Sequence, residues 1–136
     1  MKKEVDLKKY IEFVYGVTSA PSTDYAALMA RMTALEAENG DVCKLLTADL
    51  GLTDESGEFN EIVKKIVFQG KPYNEENIFH MKRELGDTCW YLAQAFMALD
   101  TDFNEILEMN VEKLQSRYPG GTFDVHKSEN RKEGDL

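Results

Sequence analysis

Apolar residues recur at steps of three and four along most of the chain, a spacing that predicts helices rather than strands. Over residues 6–17, Leu7, Tyr10, Ile11, Val14 and Val17 form such a stripe behind Asp6, a residue type that caps helix starts. The segment TSAPSTD breaks it, and Leu28, Met32 and Leu35 carry a second helix from Asp24 to Asn39. Gly40 is its expected stop, because glycine tolerates positive φ. A longer run over residues 41–69 passes through Leu45, Leu52, Phe59, Ile62 and Ile66. Within it a bend or break is expected near Gly51, since a glycine inside a helix costs ~1 kcal/mol relative to alanine. QGKPYN is the next turn, and Asn74 caps a fourth helix over about 75–99. Thr101 or Asp102 caps the last, about 103–118, with Asp102 and Glu105 at capping-box spacing and Pro119-Gly120-Gly121 ending it.

No segment alternates with period two between turn signals, so the expected fold class is all-α, a four- to five-helix bundle. The 136 residues fit one domain over 1–121. The remainder, 122–136, is polar and charged, with only Phe123, Val125 and Leu136 to bury, and reads as a C-terminal arm.

Charge changes this picture. The formal net charge is −9, from 25 acidic and 16 basic residues. Such a surface repels nucleic-acid backbones and anionic membranes, so neither is an expected partner. A phosphate ester remains accessible if a bound divalent ion reverses the local sign. Cys43 and Cys89 lack metal-binding or redox spacing and read as buried free thiols. With no stretch near the ~20 apolar residues needed to span a bilayer and no leader-like apolar segment after MKKEVDLKKY, a cytoplasmic location is expected.

Two acidic pairs stand at i, i+3, Glu55 with Glu58 and Glu84 with Asp87, each pair on one helix face. Carboxylates at this spacing are common on solvated faces. These differ by where they fall on the helical wheel. With Ile62 as the centre of the apolar seam, Glu55 lies about 20° to one side and Glu58 about 40° to the other, so both face the core. On the fourth helix, LGDTCWYLAQAFMAL (85–99) is apolar almost all round and holds one charged residue, Asp87. Such a helix is normally buried on every side, and a carboxylate there must be neutralised, hydrogen-bonded or bound to a cation. A carboxylate metal site between antiparallel helices follows. Oxygen ligands without His or Cys suit Mg²⁺, with Mn²⁺ as the alternative. A ferritin-like di-iron site would need Glu-x-x-His pairs, and neither His80 nor His126 follows a glutamate at that spacing.

On the last helix Asn110, Lys113 and Arg117 share a face, with Asn110 and Arg117 about 40° and 60° from Leu114 and so turned toward the interior. Two cations and an amide facing an acidic pocket suggest phosphate binding; pairing with the glutamates or snorkelling along the seam is the structural alternative. Trp90 and Tyr118 read as core aromatics. Lys64 and Lys65 read as a solvated face, with Lys65 near Glu58 on the wheel and able to touch a phosphate.

LGLTDESGEFNEIVKK (50–65), RELGDTCWYL (83–92) and NVEKLQSRYPGG (110–121) together resemble the ExxE, ExxD and N-x-x-K-L-x-x-R-Y-P blocks of the MazG-like nucleotide pyrophosphohydrolases. The resemblance covers about half the chain and implies an all-α enzyme. By it, Glu55, Glu58, Glu84 and Asp87 match metal ligands, and Asn110, Lys113, Arg117 and Tyr118 match positions near the triphosphate. It implies hydrolysis of a (deoxy)nucleoside triphosphate to monophosphate and pyrophosphate, with Glu55 or Glu58 orienting or deprotonating the water. Relatives that act on dUTP, dCTP or phosphoribosyl-ATP share these blocks. Asp54 and Ser56 depart from it, standing where relatives commonly carry Gly and Ala. SENR (128–131) resembles a tail found in some relatives, which implies an arm ordered against a neighbouring subunit. The apolar fourth helix also needs partners, and the simplest supply is a second copy, as a homodimer or homotetramer. A non-catalytic helical sensor of nucleotide or metal is the reading from a different class.

Overall fold

The computed structural model describes residues 5–130, which carry six α-helices, one 3₁₀ turn and no strand. The all-α expectation is met. The chain divides into two compact units at Val42/Cys43.

In the first unit, α1 spans Leu7–Val17 and α2 spans Tyr25–Ala37, with a 3₁₀ turn at Ala20–Ser22 between them. Both helices start on an aspartate. Asp6 accepts from the Lys8 and Lys9 amides at 3.1 and 3.2 Å, and Asp24 accepts from the Ala27 amide at 2.7 Å. The stop after α2 differs from expectation. The residue with positive φ is Asn39 (64°), not Gly40, whose amide instead closes back onto the Leu35 carbonyl at 2.8 Å. Asparagine tolerates the left-handed conformation, and glycine is needed here for a different reason: a Cβ at Gly40 would crowd the Leu35 carbonyl oxygen at 3.1 Å.

The second unit holds α3 (Val42–Phe68), α4 (Glu75–Leu99), α5 (Phe103–Arg117) and α6 (Val125–Glu129). Helix α3 runs unbroken through Gly51, so the expected bend is absent. Gly51 is buried, and a Cβ there would overlap the ring of Tyr91 on α4. The glycine is a notch that admits the neighbouring helix. Seven residues forward from Gly51 is Glu58 and seven back from Tyr91 is Glu84, and that second pair also meets, which makes α3 and α4 antiparallel. Asn74 caps α4 through the Asn77 amide at 3.0 Å, and Asp102 caps α5 through the Asn104 and Glu105 amides. The Glu105 carboxylate takes the Thr101 hydroxyl at 2.5 Å.

Residues expected as a polar C-terminal arm include α6, started by Asp124, which accepts from the Lys127 amide at 3.0 Å. A single well-placed cap organises a segment whose composition alone gives no such signal. Of SENR, Arg131 lies outside the described residues, as does Leu136.

The expected burial of α4 on every side is not found within one chain. Leu85, Trp90 and Met97 are 51%, 55% and 55% exposed. Cys43 and Cys89, expected buried, are exposed too. The reason is geometric: one antiparallel neighbour covers one face of a helix and leaves the others open.

Candidate metal centre

The seam between α3 and α4 brings Glu55, Glu58 and Glu84 together, each offering an oxygen within 4.8 Å of the others. Two turns of one helix supply the first two and the antiparallel helix the third. Glu84 is 9% exposed and Glu55 is half-buried. Glu58 was expected to face the core and is instead exposed at the rim, as the 40° offset from the seam centre allows. Asp87, one turn further along α4, is exposed rather than enclosed, and stands outside the close triple. Its charge still reaches Glu55, whose carboxyl it helps to push above the ordinary value.

Crowding of like charges sets the electrostatics. Partial desolvation first, then repulsion from Asp87, Glu58, Glu84 and Asp54, pushes the Glu55 carboxyl above its ordinary value. For Glu58 the charge of Glu84 is the largest cause, followed by desolvation, Asp54, a hydrogen bond with Glu84, and Glu61. One turn beyond, Glu61 goes the other way: Lys65, 2.7 Å from its carboxylate, holds it below the ordinary value.

The donor set fits a hard divalent ion. An octahedral ion with oxygens at ~2.1 Å separates neighbouring donors by ~3 Å, and the three carboxylates bring their oxygens within 4.8 Å of one another. No histidine or cysteine joins them; His80 lies 3.9 Å from Glu76, four residues away. The arrangement does not suit the Glu-x-x-His pairs of a di-iron site.

A consequence for stability follows from the raised carboxyls. Unfolded glutamates titrate near 4.5. Above that pH the folded chain holds the larger number of protons at Glu55 and Glu58, so metal-free stability falls as pH rises through their raised values. Glu61 contributes in the opposite sense, losing its share as pH falls through its lowered value. In thermal melts, Mg²⁺ or Mn²⁺ is expected to raise the unfolding midpoint at pH 7 and to lose that effect below pH ~4.5, where the carboxylates protonate. Equal effects at both pH values would contradict it.

Beside the carboxylates an open depression of about 620 Å³ runs along α3, lined by Thr47, Gly51, Asp54, Glu58, Glu61 and Tyr91 among others. None of the α5 residues expected near the triphosphate lines this depression. Asn110 and Lys113, expected to turn inward, are exposed and line a separate depression with Ile106, Leu107 and Met109. Arg117 and Tyr118 are half-buried, and the Tyr118 ring lies 5.8 Å from that of Phe123. Trp90, expected in the core, is 55% exposed and meets Tyr91 edge to face at 4.8 Å.

Two residues near the centre were not singled out from sequence. Tyr91 fills the notch at Gly51. Asn77, 5% exposed, donates its side-chain amide to the Pro72 carbonyl at 2.7 Å and pins the α3–α4 turn. Its position three residues after Asn74, in the first turn of the helix, was the available signal.

Comparison with known proteins bears on this geometry. A family model described as the MazG nucleotide pyrophosphohydrolase domain matches residues 43–122, which include all three motif blocks. "Gene 37 protein" of Mycobacterium phage L5 is 38% identical over 73 residues, 53% of this chain and 64% of that protein. The chain thus spans a little under two thirds of that relative's length. No solved structure matches.

Proposed function

We propose, since this chain belongs to the MazG nucleotide pyrophosphohydrolase family, that it hydrolyses (deoxy)nucleoside triphosphates to the monophosphate and pyrophosphate with the help of Mg²⁺ or Mn²⁺. The observation that carries this reading is the convergence of Glu55, Glu58 and Glu84 across two antiparallel helices. A chain of net charge −9 repels a triphosphate unless cations intervene. When bound, a divalent ion offsets the carboxylate charge, engages phosphate oxygens and makes nearby water more acidic.

Glu55, Glu58, Glu84 and Asp87 would hold that ion. Glu84, buried in the seam, is the fixed member of the set. Glu55 or Glu58 would orient the attacking water and take its proton, a role that the exposure of Glu58 favours for that residue. Lys113 and Arg117 would stabilise charge on the departing pyrophosphate, with Asn110 and Tyr118 completing the substrate contacts. Of these groups, Asn110 and Lys113 line a depression of their own with Ile106, Leu107 and Met109. A homodimer or homotetramer would cover the apolar surface of α4 and α5, where Leu107 and Val111 are also at least half exposed. No described helix is long and apolar enough to cross a membrane. The free thiols of Cys43 and Cys89 fit the reducing cytoplasm.

The test is pyrophosphate release from a panel of NTPs, dNTPs and a guanosine alarmone, with divalent ion and with EDTA, on samples whose mass is measured by light scattering. Metal-dependent release from at least one substrate by an oligomer is expected, with dUTP, dCTP and phosphoribosyl-ATP included to rank the sister activities. No release from any substrate by a folded, metal-binding protein would favour the non-catalytic sensor, and a monomeric mass would contradict the assembly.

A further inference from the structure

Two turns beyond Glu58, the sign of the surface reverses. Lys64, Lys65 and Lys71 all act on the Glu61 carboxylate, so three cations surround one anion at the end of α3 in an otherwise acidic protein. Lys65 does not simply point away. Its Nζ reaches back to 2.7 Å from Oε1 of Glu61, while its side chain stays 42% exposed. Glu61 and Glu58 are i, i+3 neighbours on one face, so the carboxylate that holds the ammonium stands one helical turn from Glu58.

The turn that follows is built rather than loose. Gly70 adopts φ 73°, and the amides of Gln69 and Lys71 both close onto the Lys65 carbonyl, at 3.0 and 3.1 Å. This is the C-terminal closure that needs a residue in the left-handed conformation. It ties the backbone of Lys71 to that of Lys65. From the other side, buried Asn77 grips the Pro72 carbonyl. Lys71 itself is half-buried. A surface pair between Lys65 and Glu61 alone accounts for only ~0.3–0.5 kcal/mol and gives no reason to fix a second lysine beside it.

The geometry points to Lys65 and Lys71 as a further phosphate-binding pair, which takes the terminal phosphates of the substrate next to the carboxylate centre, with Glu61 positioning Lys65. This rests on the pyrophosphohydrolase reading for the substrate, but the anion site has its own readout. Lysine serves phosphate as a mobile point charge, and here the charge is pre-positioned by the pair with Glu61. The depression beside Glu58 includes Glu61 in its wall, and Lys65 is tied to that wall through its 2.7 Å pair with Glu61.

The experiment is calorimetric titration of the full chain with inorganic pyrophosphate in the presence of Mg²⁺, on wild type, Lys65→Met, Lys71→Met and Lys65→Arg. Each Met variant is expected to bind pyrophosphate at least tenfold more weakly with an unchanged thermal midpoint, and Lys65→Arg to recover part of the loss. In parallel, KM for a triphosphate rises in the Met variants more than kcat falls. Wild-type affinity in both Met variants, or no binding of pyrophosphate by wild type, overturns the inference. If wild type hydrolyses triphosphates while the lysine variants bind normally, this inference fails and the function stands. Lysine-dependent binding without hydrolysis would fail the function and keep the site.

Discussion

Glu58→Gln is expected to lower turnover by ~10²–10⁴-fold, the share that a positioned proton acceptor supplies, while raising the thermal midpoint of the metal-free protein at pH 7. The two effects have one cause. Glu58 is crowded first by the charge of Glu84, and its carboxyl is pushed above the ordinary range. Gln keeps the size and removes the charge, so repulsion inside the empty centre falls. The same change removes the group that orients water and one of the ligands that hold the ion. A residue retained only for packing would lower both activity and stability, or neither. Measured kcat beside metal-free melts therefore separates a functional cluster, which costs stability, from a structural one. Unchanged kcat would remove Glu58 from the machinery.

Gly51→Ala is expected to destabilise the fold by ~1–3 kcal/mol even though alanine favours helix by up to ~1 kcal/mol. The added Cβ would overlap Cδ1, Cε1 and Cζ of Tyr91, so either the ring or the helix that carries it must shift. Gly57→Ala, two turns along the same helix, is the control. A Cβ there meets nothing within 4 Å, so only the helix-propensity gain remains. Urea unfolding should move the two midpoints in opposite directions. Because Gly51 and Tyr91 lie two turns from Glu58 and Glu84 on the same antiparallel seam, Gly51→Ala should also weaken divalent-ion binding. Equal shifts for both glycines would mean that the close approach at Gly51 does not hold the helices in place.

Much of this was legible in the residues because its physics is local. Asp6, Asn74 and Asp102 cap the helices they were expected to cap, since a short side chain reaching an amide two or three residues on needs no tertiary partner. The acidic pairs at i, i+3 share faces for the same reason, and the apolar seam identified the face on which Glu55 and Glu84 meet. What was not legible depends on a neighbour. Gly51 reads as a weak point until Tyr91 is known to lie against it. Asn77 reads as one more polar residue at a helix start until the Pro72 carbonyl is placed. The composition of 85–99 reads as a helix buried on every side, and it does not tell how much of that cover one chain provides. The wheel placed Asn110 toward an interior that α5 does not have within this chain.

If the carboxylates of α3 and α4 serve a metal-dependent cleavage between the α and β phosphates, phosphorus NMR of a triphosphate digest, with Mg²⁺ and then with excess EDTA, will show it. Monophosphate and pyrophosphate are expected in equal amounts with Mg²⁺, and intact substrate with EDTA. Nucleoside diphosphate with inorganic phosphate, or turnover that survives EDTA, would contradict it.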